Sequence, residues 1–244
     1  MPKIYIDPKS LKTSRFEINN KASDKAEILL YGPIGSSMWD EDAISAKQFS
    51  DELKKLPDTV KEIHLRVNSP GGSVFEGHTI YERLKQHKAK VVVYIDGLAA
   101  SIASVIAMAG DEIHMGEGSF MMIHRPWTMA VGNASEMERQ INLLEKLENS
   151  MTNIYSKKTG LSVADISNKL QDDFWMNADE SVDFGFATNK TEESETLHMA
   201  ASYIKNSNWL KGNKPTIDAS NKMVNSKLAE LKNKIESFQA RKKS

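Results

Sequence analysis

The stretch DGLAASIASVIAMAG, residues 96–110, decides the fold that the sequence predicts. Residues 90–95 (KVVVYI) precede it and have the β-branched, apolar composition of a buried strand. The residues after Ser101 are small or apolar on nearly every side, which predicts a short helix buried between other elements. We therefore expect a strand that ends near Gly97 and turns into a buried helix, with Ser101 at the turn.

Two explanations fit a serine at this turn. Serine is a common N-cap residue, and its small side chain packs well where a helix meets a sheet. A helix N-terminus also carries unpaired backbone N–H groups and favours negative charge, so a nucleophile for acyl transfer would suit the same position. The sequence on either side of the stretch separates these explanations.

Two further motifs flank the turn at residues 68–74 (NSPGGSV) and 121–124 (MMIH). The first follows an apolar strand and contains a tight Pro-Gly-Gly turn, and the second places His124 at the end of another apolar strand. Asn-Ser-Pro-Gly-Gly-Ser-Val, Gly-x-Ala-Ala-Ser and Met-Ile-His-x-Pro follow one another in this order. In these motifs the chain resembles the catalytic subunit of the Clp protease, ClpP, and its phage-encoded relatives, over residues 26–187.

The resemblance implies an α/β fold, a crotonase-like spiral of ββα units with a projecting handle helix and a C-terminal helical tail. The apolar patterns permit it, because strands alternate with helical patterns as in a parallel sheet with right-handed crossovers. Predicted strands cover residues 27–31, 62–67, 90–95, 113–115 and 120–123, and predicted helices lie within 44–56 and 75–84.

A long helix is predicted over residues 134–158 and ends at Gly160, a typical helix-terminating residue. One apolar stripe runs along it, formed by Met137, Ile141, Leu144, Leu147, Met151 and Ile154. This helix either packs on its own domain or projects and pairs with another subunit. The resemblance favours the second alternative, because the handle helix of ClpP joins two rings.

The resemblance assigns a Ser-His-Asp triad. Ser101 is the expected nucleophile and His124 the general base, since imidazole with a pKa of about 6.5 accepts a proton near neutrality. Counting back from Phe184 and Gly185 without a gap places the orienting aspartate at Asp173, and a shift of one residue would place it at Asp172. Ser104, one turn further into the helix, is expected to be a buried or back-bonded hydroxyl.

The resemblance also implies two oxyanion donors, the backbone N–H groups of Gly72 and Ile102. Such donors typically contribute a few kcal/mol each to transition-state stabilisation. A substrate would lie extended beside the two strand edges, with its backbone paired to them. The residues predicted to bind it are Gly71, Ser73, Val74, Arg125, Pro126 and Trp127.

The charge distribution suggests three segments: a polar arm over residues 1–25, a catalytic domain over 26–190 and a basic, partly helical tail over 191–244. Residues 201–244 hold ten Lys/Arg against three Asp/Glu, which leaves a net charge of −8 on the first 200 residues. Apolar residues recur in the tail at heptad intervals, and a chance pattern in a disordered end is the alternative.

Several classes of protein are disfavoured by the sequence. The chain has no cysteine, which excludes disulfides and thiolate metal sites. The histidines lack metal-binding spacing, and the glycines match neither a P-loop nor a dinucleotide-binding motif, so we expect no cofactor and no nucleic-acid partner. No apolar run is long enough to span a bilayer or to act as a standard export signal, so a cytoplasmic location is expected.

Two departures from housekeeping ClpP bear on the subtype. Arg125 stands where that family often has Gln, and residues 127–133 are less glycine-rich than expected. With the added tail, these features favour an ATP-independent phage or prophage protease that matures capsid proteins and forms a homo-oligomeric ring. The alternatives are a Clp proteolytic subunit working with an ATPase, a crotonase-fold acyl-CoA enzyme, and a non-catalytic shell or scaffold subunit.

Overall fold

Eight strands and six helices occur in residues 15–22, 24–36 and 43–191, the parts of the chain that the computed structural model describes. In chain order they are β1 Arg15–Ala22, β2 Lys25–Tyr31, α1 Ala46–Leu53, β3 Glu62–Ser69, α2 Val74–Lys85, β4 Lys90–Ala100, α3 Ile102–Ala107, β5 Glu112–Gly116, β6 Phe120–Ile123, α4 Ala134–Thr159, α5 Val163–Lys169, β7 Phe174–Met176, α6 Ala178–Asp183 and β8 Asn189–Thr191. The α/β class predicted from the sequence is confirmed.

One sheet connects all eight strands. Its main path runs β1-β2-β3-β4-β5-β8, and every pairing on this path after β1-β2 is parallel. Strands β6 and β7 leave this path, since β6 pairs in parallel with the end of β4 and β7 pairs antiparallel with β6. The parallel pairs are joined by helical crossovers, as the alternation of strand and helix patterns predicted.

Strand β4 corrects the expectation that the strand ends near Gly97. It continues to Ala100, and it changes neighbour on the way. Residues 92–95 pair with β5, whereas residues 98–100 pair with β6. Opposite β3 the register shifts between these two parts, because Val67 pairs with Ile95 and Ser69 pairs with Ala99. We call this change of neighbour the β4 fork. Because of it, Ser101 lies beside β6 and not in a turn at Gly97.

Two further corrections concern the first third of the chain. The predicted arm over residues 1–25 includes β1, which pairs antiparallel with β2, so the sheet begins before residue 26. Helix α1 is shorter than the predicted helical pattern over 44–56. Ile44 lies before the helix, in an isolated bridge with Ile34, and Ser45 caps the helix by accepting a hydrogen bond from the Gln48 N–H.

The core lies between the sheet and its helices. Burial alternates along β3, where Ile63, Leu65 and Val67 are fully buried and the residues between them are half-buried. All six residues of α3 are buried, as its composition predicted. The central strands and α3 therefore form a rigid support directly beneath Ser101.

A polar network ties the carboxyl-terminal parts of β2, β3 and β4 together. The Tyr31 hydroxyl donates to Asp96, and the Arg66 Nε donates to Asp96 Oδ2 over 2.8 Å. Burial raises the pKa of Asp96, and burial together with the neighbouring Asp96 carboxylate raises the pKa of Tyr31. The network fixes the part of β4 that immediately precedes its fork.

Helix α4 is capped at both ends. Asn133 and Glu136 form a capping box, and Gly160 ends the helix in the left-handed conformation with φ of 79°. Its buried residues, Met151, Thr152 and Tyr155, all lie in the second half, whereas residues 134–143 are exposed throughout. Met137 and Ile141 of the predicted apolar stripe are thus exposed within the described residues, and Leu144 is half-buried. No described helix is long and apolar enough to cross a membrane.

Candidate active site

Ser101 joins β4 to α3 in a strained backbone conformation. Its φ of 54° and ψ of −129° make it the only non-glycine residue with positive φ in the described parts of the chain. Such a conformation costs about 1–3 kcal/mol and persists only when the surroundings hold it. The side chain makes no N-capping hydrogen bond, so the capping explanation of this serine does not hold. Its Oγ instead lies 2.8 Å from His124 Nε2.

His124 follows β6 directly, and its place beside Ser101 results from the β4 fork. Residues 98–100 of β4 pair in parallel with residues 120–122 of β6, and the Ser101 N–H donates to the Met122 carbonyl over 2.9 Å. Both side chains therefore emerge from adjacent strands at the same edge of the sheet. The His124 side chain is 18% exposed, so water still reaches the imidazole.

Asp173 precedes β7, and the strand register places it opposite His124. Met121 pairs with Met176, and Ile123 pairs with Phe174, so one further antiparallel step pairs His124 with Asp173. Directly opposite residues project from the same face of the sheet. The distance from His124 Nδ1 to Asp173 Oδ1 is 3.3 Å.

Asp172, the competing candidate, lies one residue away on the exposed loop. It makes no hydrogen bond or ion pair with any residue in the described ranges. The structure therefore brings Asp173, and not Asp172, to the histidine.

The two contacts of His124 define its tautomer. A carboxylate only accepts hydrogen bonds, so the proton of the neutral ring lies on Nδ1, toward Asp173. The lone pair of Nε2 then faces the Ser101 hydroxyl and accepts its proton. The Asp173 side chain is 56% exposed, so solvent screens its charge, and its main contribution is to orient the ring.

The Pro-Gly-Gly turn lies directly against the nucleophile. Gly71 has φ of +91°, and a Cβ there would lie 2.7 Å from the Ser101 Cβ. Gly72 has φ of +145°, and a Cβ there would lie 2.0 Å from the Ile34 carbonyl oxygen. The Ile34 N–H donates to the Gly71 carbonyl, and the Ser73 N–H donates to the Ile34 carbonyl. Only glycine fits at both positions.

Two backbone donors remain available, one on the residue after Ser101 and one on the residue after Gly71. Neither the Gly72 N–H nor the Ile102 N–H donates a hydrogen bond to any residue of the described segments. The Ile102 nitrogen also lies close to the Gly71 turn, 3.2 Å from a Cβ built at Gly71. Donors of this kind can stabilise negative charge that develops next to the serine.

The residues predicted to bind substrate lie on two segments around this centre. Gly71 touches Ser101, and Ser73 and Val74 lead into α2. On the other segment, the Arg125 Nε donates to Glu148 Oε1 of α4 over 3.1 Å, and Trp127 is 73% exposed. Pro126 lies between them and is half-buried.

Sequence reasoning missed one group close to the nucleophile. The Ser104 Oγ donates to the Ser101 carbonyl over 2.5 Å, which matches the expected back-bonded hydroxyl, but it also lies 2.7 Å from the Tyr155 hydroxyl of α4. Tyr155 was predicted only to lie on the long helix. The partners are 51 positions apart in the sequence, so their contact leaves no signal in the local pattern.

The described residues contain no group of three or more His, Cys, Asp or Glu side chains placed to hold a metal ion. Of the other histidines, His64 and His114 lie on β3 and β5, and each contacts a glutamate of its own strand. His78 lies on α2 and has a pKa lowered by burial.

Comparisons with known proteins agree with this geometry. The sequence model of the family described as "Clp protease" matches residues 11–193. An ATP-dependent Clp protease proteolytic subunit 1 from Protochlamydia amoebophila is 32% identical over 191 residues, 73% of this chain and 92% of that protein. The proteolytic subunit from Streptococcus pneumoniae is 30% identical, over 75% of this chain and 93% of that protein.

A solved structure has the same fold. A mutant of ClpP1 from Listeria monocytogenes superimposes with a TM-score of 0.60 and 26% sequence identity, covering 70% of this chain and 94% of the other. The ClpP-like, crotonase-like fold predicted from the motifs is thereby confirmed.

Proposed function

Because the chain belongs to the Clp protease family, we propose that it is a serine endopeptidase that hydrolyses peptide bonds through Ser101, His124 and Asp173. The observation that carries the proposal is that the Ser101 hydroxyl hydrogen bonds to His124 Nε2 while the Asp173 carboxylate lies 3.3 Å from Nδ1 on the other side of the same ring. This arrangement meets the geometric requirements of a nucleophile, a base and an orienting group.

The geometry supports a two-step acyl transfer. His124 Nε2 takes the proton of Ser101 as the oxygen attacks the scissile carbonyl, and the imidazolium then gives that proton to the leaving amine. The acyl-enzyme is hydrolysed when His124 activates a water molecule in the same way. Asp173 keeps the Nδ1 proton in place throughout and stabilises the imidazolium.

The backbone N–H groups of Gly72 and Ile102 are the proposed oxyanion donors. Both lack an acceptor in the described segments; Ile102 follows Ser101 directly, and Gly72 follows Gly71, which lies against Ser101. Glycine at positions 71 and 72 allows the turn to approach the nucleophile closely enough to present such a donor. A substrate strand would lie between the segment from Gly71 to Val74 and the segment from Arg125 to Trp127.

Labelling with a fluorophosphonate, read out by intact mass, tests the nucleophile. Wild-type protein should gain one label at Ser101 and should hydrolyse small fluorogenic peptides. Ser101→Ala and His124→Ala should each lower kcat by about 10³-fold or more, with little additional loss when combined, because triad members act as a unit.

Ser119→Ala is the matched control. Ser119 is a buried serine whose hydroxyl donates to the Gly116 carbonyl, away from the proposed site. This variant should keep wild-type labelling and activity. A Ser101→Ala protein that still cleaves peptides at a comparable rate would disprove the mechanism. Unlabelled wild-type protein would instead favour an acyl-CoA enzyme or a non-catalytic shell subunit on the same fold.

We further propose that the enzyme is cytoplasmic, acts without ATP and processes capsid proteins of a phage or prophage. Arg125 and the extended basic tail support this subtype over a housekeeping subunit. The relatives named above are ATP-dependent proteolytic subunits, so the alternative is a proteolytic subunit that works with an ATPase.

Incubation with an unassembled capsid precursor separates the two subtypes. The ATP-independent phage subtype predicts a shortened capsid product in the absence of nucleotide. Cleavage of whole proteins only after a Clp ATPase and ATP are added would overturn it. The proposed homo-oligomeric ring is tested by the mass of the assembled particle, which a monomer would contradict.

A further inference from the structure

Helix α4 reaches the backbone of the nucleophile through two buried hydroxyls. The Ser101 carbonyl oxygen accepts hydrogen bonds from the Ser104 N–H over 3.0 Å and from the Ser104 Oγ over 2.5 Å. The Tyr155 hydroxyl lies 2.7 Å from the same Oγ. Ser104 and Tyr155 are both fully buried, and the Tyr155 ring packs at a tilt against Phe186. This contact is therefore closed to water and fixed by packing.

The direction of each hydrogen bond follows from the atoms involved. A carbonyl oxygen only accepts, so the single hydroxyl proton of Ser104 is directed to Ser101. Ser104 must then accept the proton of Tyr155. Burial raises the pKa of Tyr155, which keeps the phenol protonated and able to donate. The donors run in one direction, from Tyr155 to Ser104 to the carbonyl of Ser101.

Fixing this carbonyl also fixes the neighbouring N–H group. The peptide unit between Ser101 and Ile102 is planar, and in a trans peptide its C=O and N–H point in opposite directions. Hydrogen bonds that hold the Ser101 carbonyl toward Ser104 therefore turn the Ile102 N–H away from Ser104. That N–H has no acceptor in the described residues.

The conformation of Ser101 needs such support. Its positive φ is unfavourable for a residue with a side chain, so the peptide that follows it would relax if nothing held it. The Met122 carbonyl fixes the N–H side of Ser101, and Ser104 with Tyr155 fixes the carbonyl side.

We propose that Ser104 and Tyr155 are positioning residues that hold the oxyanion donor Ile102 N–H in its productive direction by fixing the Ser101 carbonyl. The inference rests on the proposed peptidase function. It assigns the buried second half of α4 a role in the proposed catalytic centre, in addition to the association role predicted for its exposed first half.

We call the hydrogen bonds from Tyr155 through Ser104 to the Ser101 carbonyl the relay. Single substitutions test it by kinetics on a fluorogenic peptide. Oxyanion contacts form only in the transition state, so kcat should fall while KM changes by less than about twofold. Ser104→Ala removes the hydroxyl that touches the carbonyl and should lower kcat by about tenfold. Tyr155→Phe leaves that contact in place and should lower kcat by about threefold. Tyr81→Phe, at a half-buried tyrosine of α2 outside the proposed site, should leave kcat unchanged.

Affinity for inhibitors provides an independent measurement. A peptide boronate forms a tetrahedral adduct with a nucleophilic serine and so probes the oxyanion site directly. Its affinity should fall in Ser104→Ala by about the same factor as kcat. The affinity for an uncleaved product peptide should stay within about twofold, because ground-state binding does not use the donor.

The double variant separates positioning from simple structural support. Ser104→Ala alone leaves the buried Tyr155 hydroxyl without its acceptor and should lower Tm. Ser104→Ala combined with Tyr155→Phe removes both polar groups, so Tm should recover toward the wild-type value. Under the proposal kcat should remain as low as in Ser104→Ala.

Two results would overturn the inference. One is a kcat that recovers together with Tm in the double variant, and the other is wild-type kcat and boronate affinity in Ser104→Ala and in Tyr155→Phe. Should Ser104→Ala fail to fold, Tyr155→Phe and the double variant still decide the question. Fluorophosphonate labelling of Ser101 in wild-type protein, observed alongside either result, would leave the peptidase proposal standing and remove only the role of the relay.

Discussion

The choice between Asp172 and Asp173 depends on a single residue of register. The sequence offers two adjacent carboxylates and one motif from which to count, and any gap in the loop exchanges them. Strand pairing removes this freedom, since Ile123 pairs with Phe174 and so aligns His124 with Asp173. The register between β6 and β7 depends on tertiary pairing between segments far apart in the chain, and the local sequence pattern carries no information about that pairing.

We expect Asp173→Asn to lower kcat far more than Asp172→Asn. An amide cannot stabilise the imidazolium, and its NH₂ group can hold the ring in the wrong tautomer. Because Asp173 is largely exposed, we expect a loss of about 10²-fold, smaller than at a buried triad aspartate. Steady-state kinetics of the two variants at neutral pH provide the measurement, and Asp172→Asn is its control. The opposite order of effects would move the site to Asp172.

Ser101 shows the limit of composition as a guide. The apolar run and the glycine predicted a strand, a turn and a buried helix, and all six residues of α3 are indeed buried. The positive φ of Ser101 was not predictable, because serine gives no local preference for it. Only neighbours distant in sequence, such as Met122 and Tyr155, make that conformation stable.

Among the elements, those with strong local signals were predicted best. Helix α4 has a capping box, a long apolar stripe and a terminal glycine, and its predicted and observed bounds differ by one residue at the C-terminus. Strands β7 and β8 have three residues each, too few for an alternation pattern to be recognised. The fork in β4 was missed because both of its halves are apolar, and composition does not reveal which neighbour each half pairs with.

The exposed half of α4 should contribute to subunit association. Ile141→Lys with Leu144→Lys would place two charges in the apolar stripe, at an exposed and a half-buried position, and so should reduce the particle mass measured by light scattering. Asn142→Lys, on the same exposed turn but at a polar position, is the control and should leave the mass unchanged. An unchanged mass in the double variant would indicate that this stripe takes no part in assembly.

The ion pair between Arg125 and Glu148 links the segment after His124 to α4. Both groups are partly exposed, so the pair should contribute no more than about 1 kcal/mol. We expect Glu148→Gln to raise the KM for peptides by a few fold. The charge-reversed protein, Arg125→Glu with Glu148→Arg, should recover part of this loss in low salt and less of it in high salt.

A double-mutant cycle over these positions checks the interpretation. Arg125→Gln supplies the residue often found in housekeeping ClpP and removes the charge at the other end of the pair. If its effect and that of Glu148→Gln simply add, the two side chains do not interact in solution.

For the whole molecule, we predict that a boundary near residue 190 separates the proposed catalytic centre from the basic tail. All residues of the proposed site lie before it, and the tail with its heptad pattern lies outside the described residues. Deletion of residues 200–244 should therefore leave kcat and KM for small peptides unchanged. Binding to a capsid or scaffold partner should be lost, as measured by co-sedimentation. A truncated protein that assembles normally but no longer cleaves small peptides would place part of the tail in the catalytic domain.

The β6-β7 pairing has a consequence for the evolution of this chain. Residues 125–172 form an excursion from the sheet. The chain leaves the sheet after β6 and re-enters it as β7, which pairs with β6. Because the return point is fixed by main-chain pairing, drift in the length of the exposed part of the excursion leaves the spacing of His124 and Asp173 unaltered. The loop over residues 128–133 can thus vary in length and sequence, whereas the second half of α4, which carries Tyr155, is constrained by its contact with Ser104.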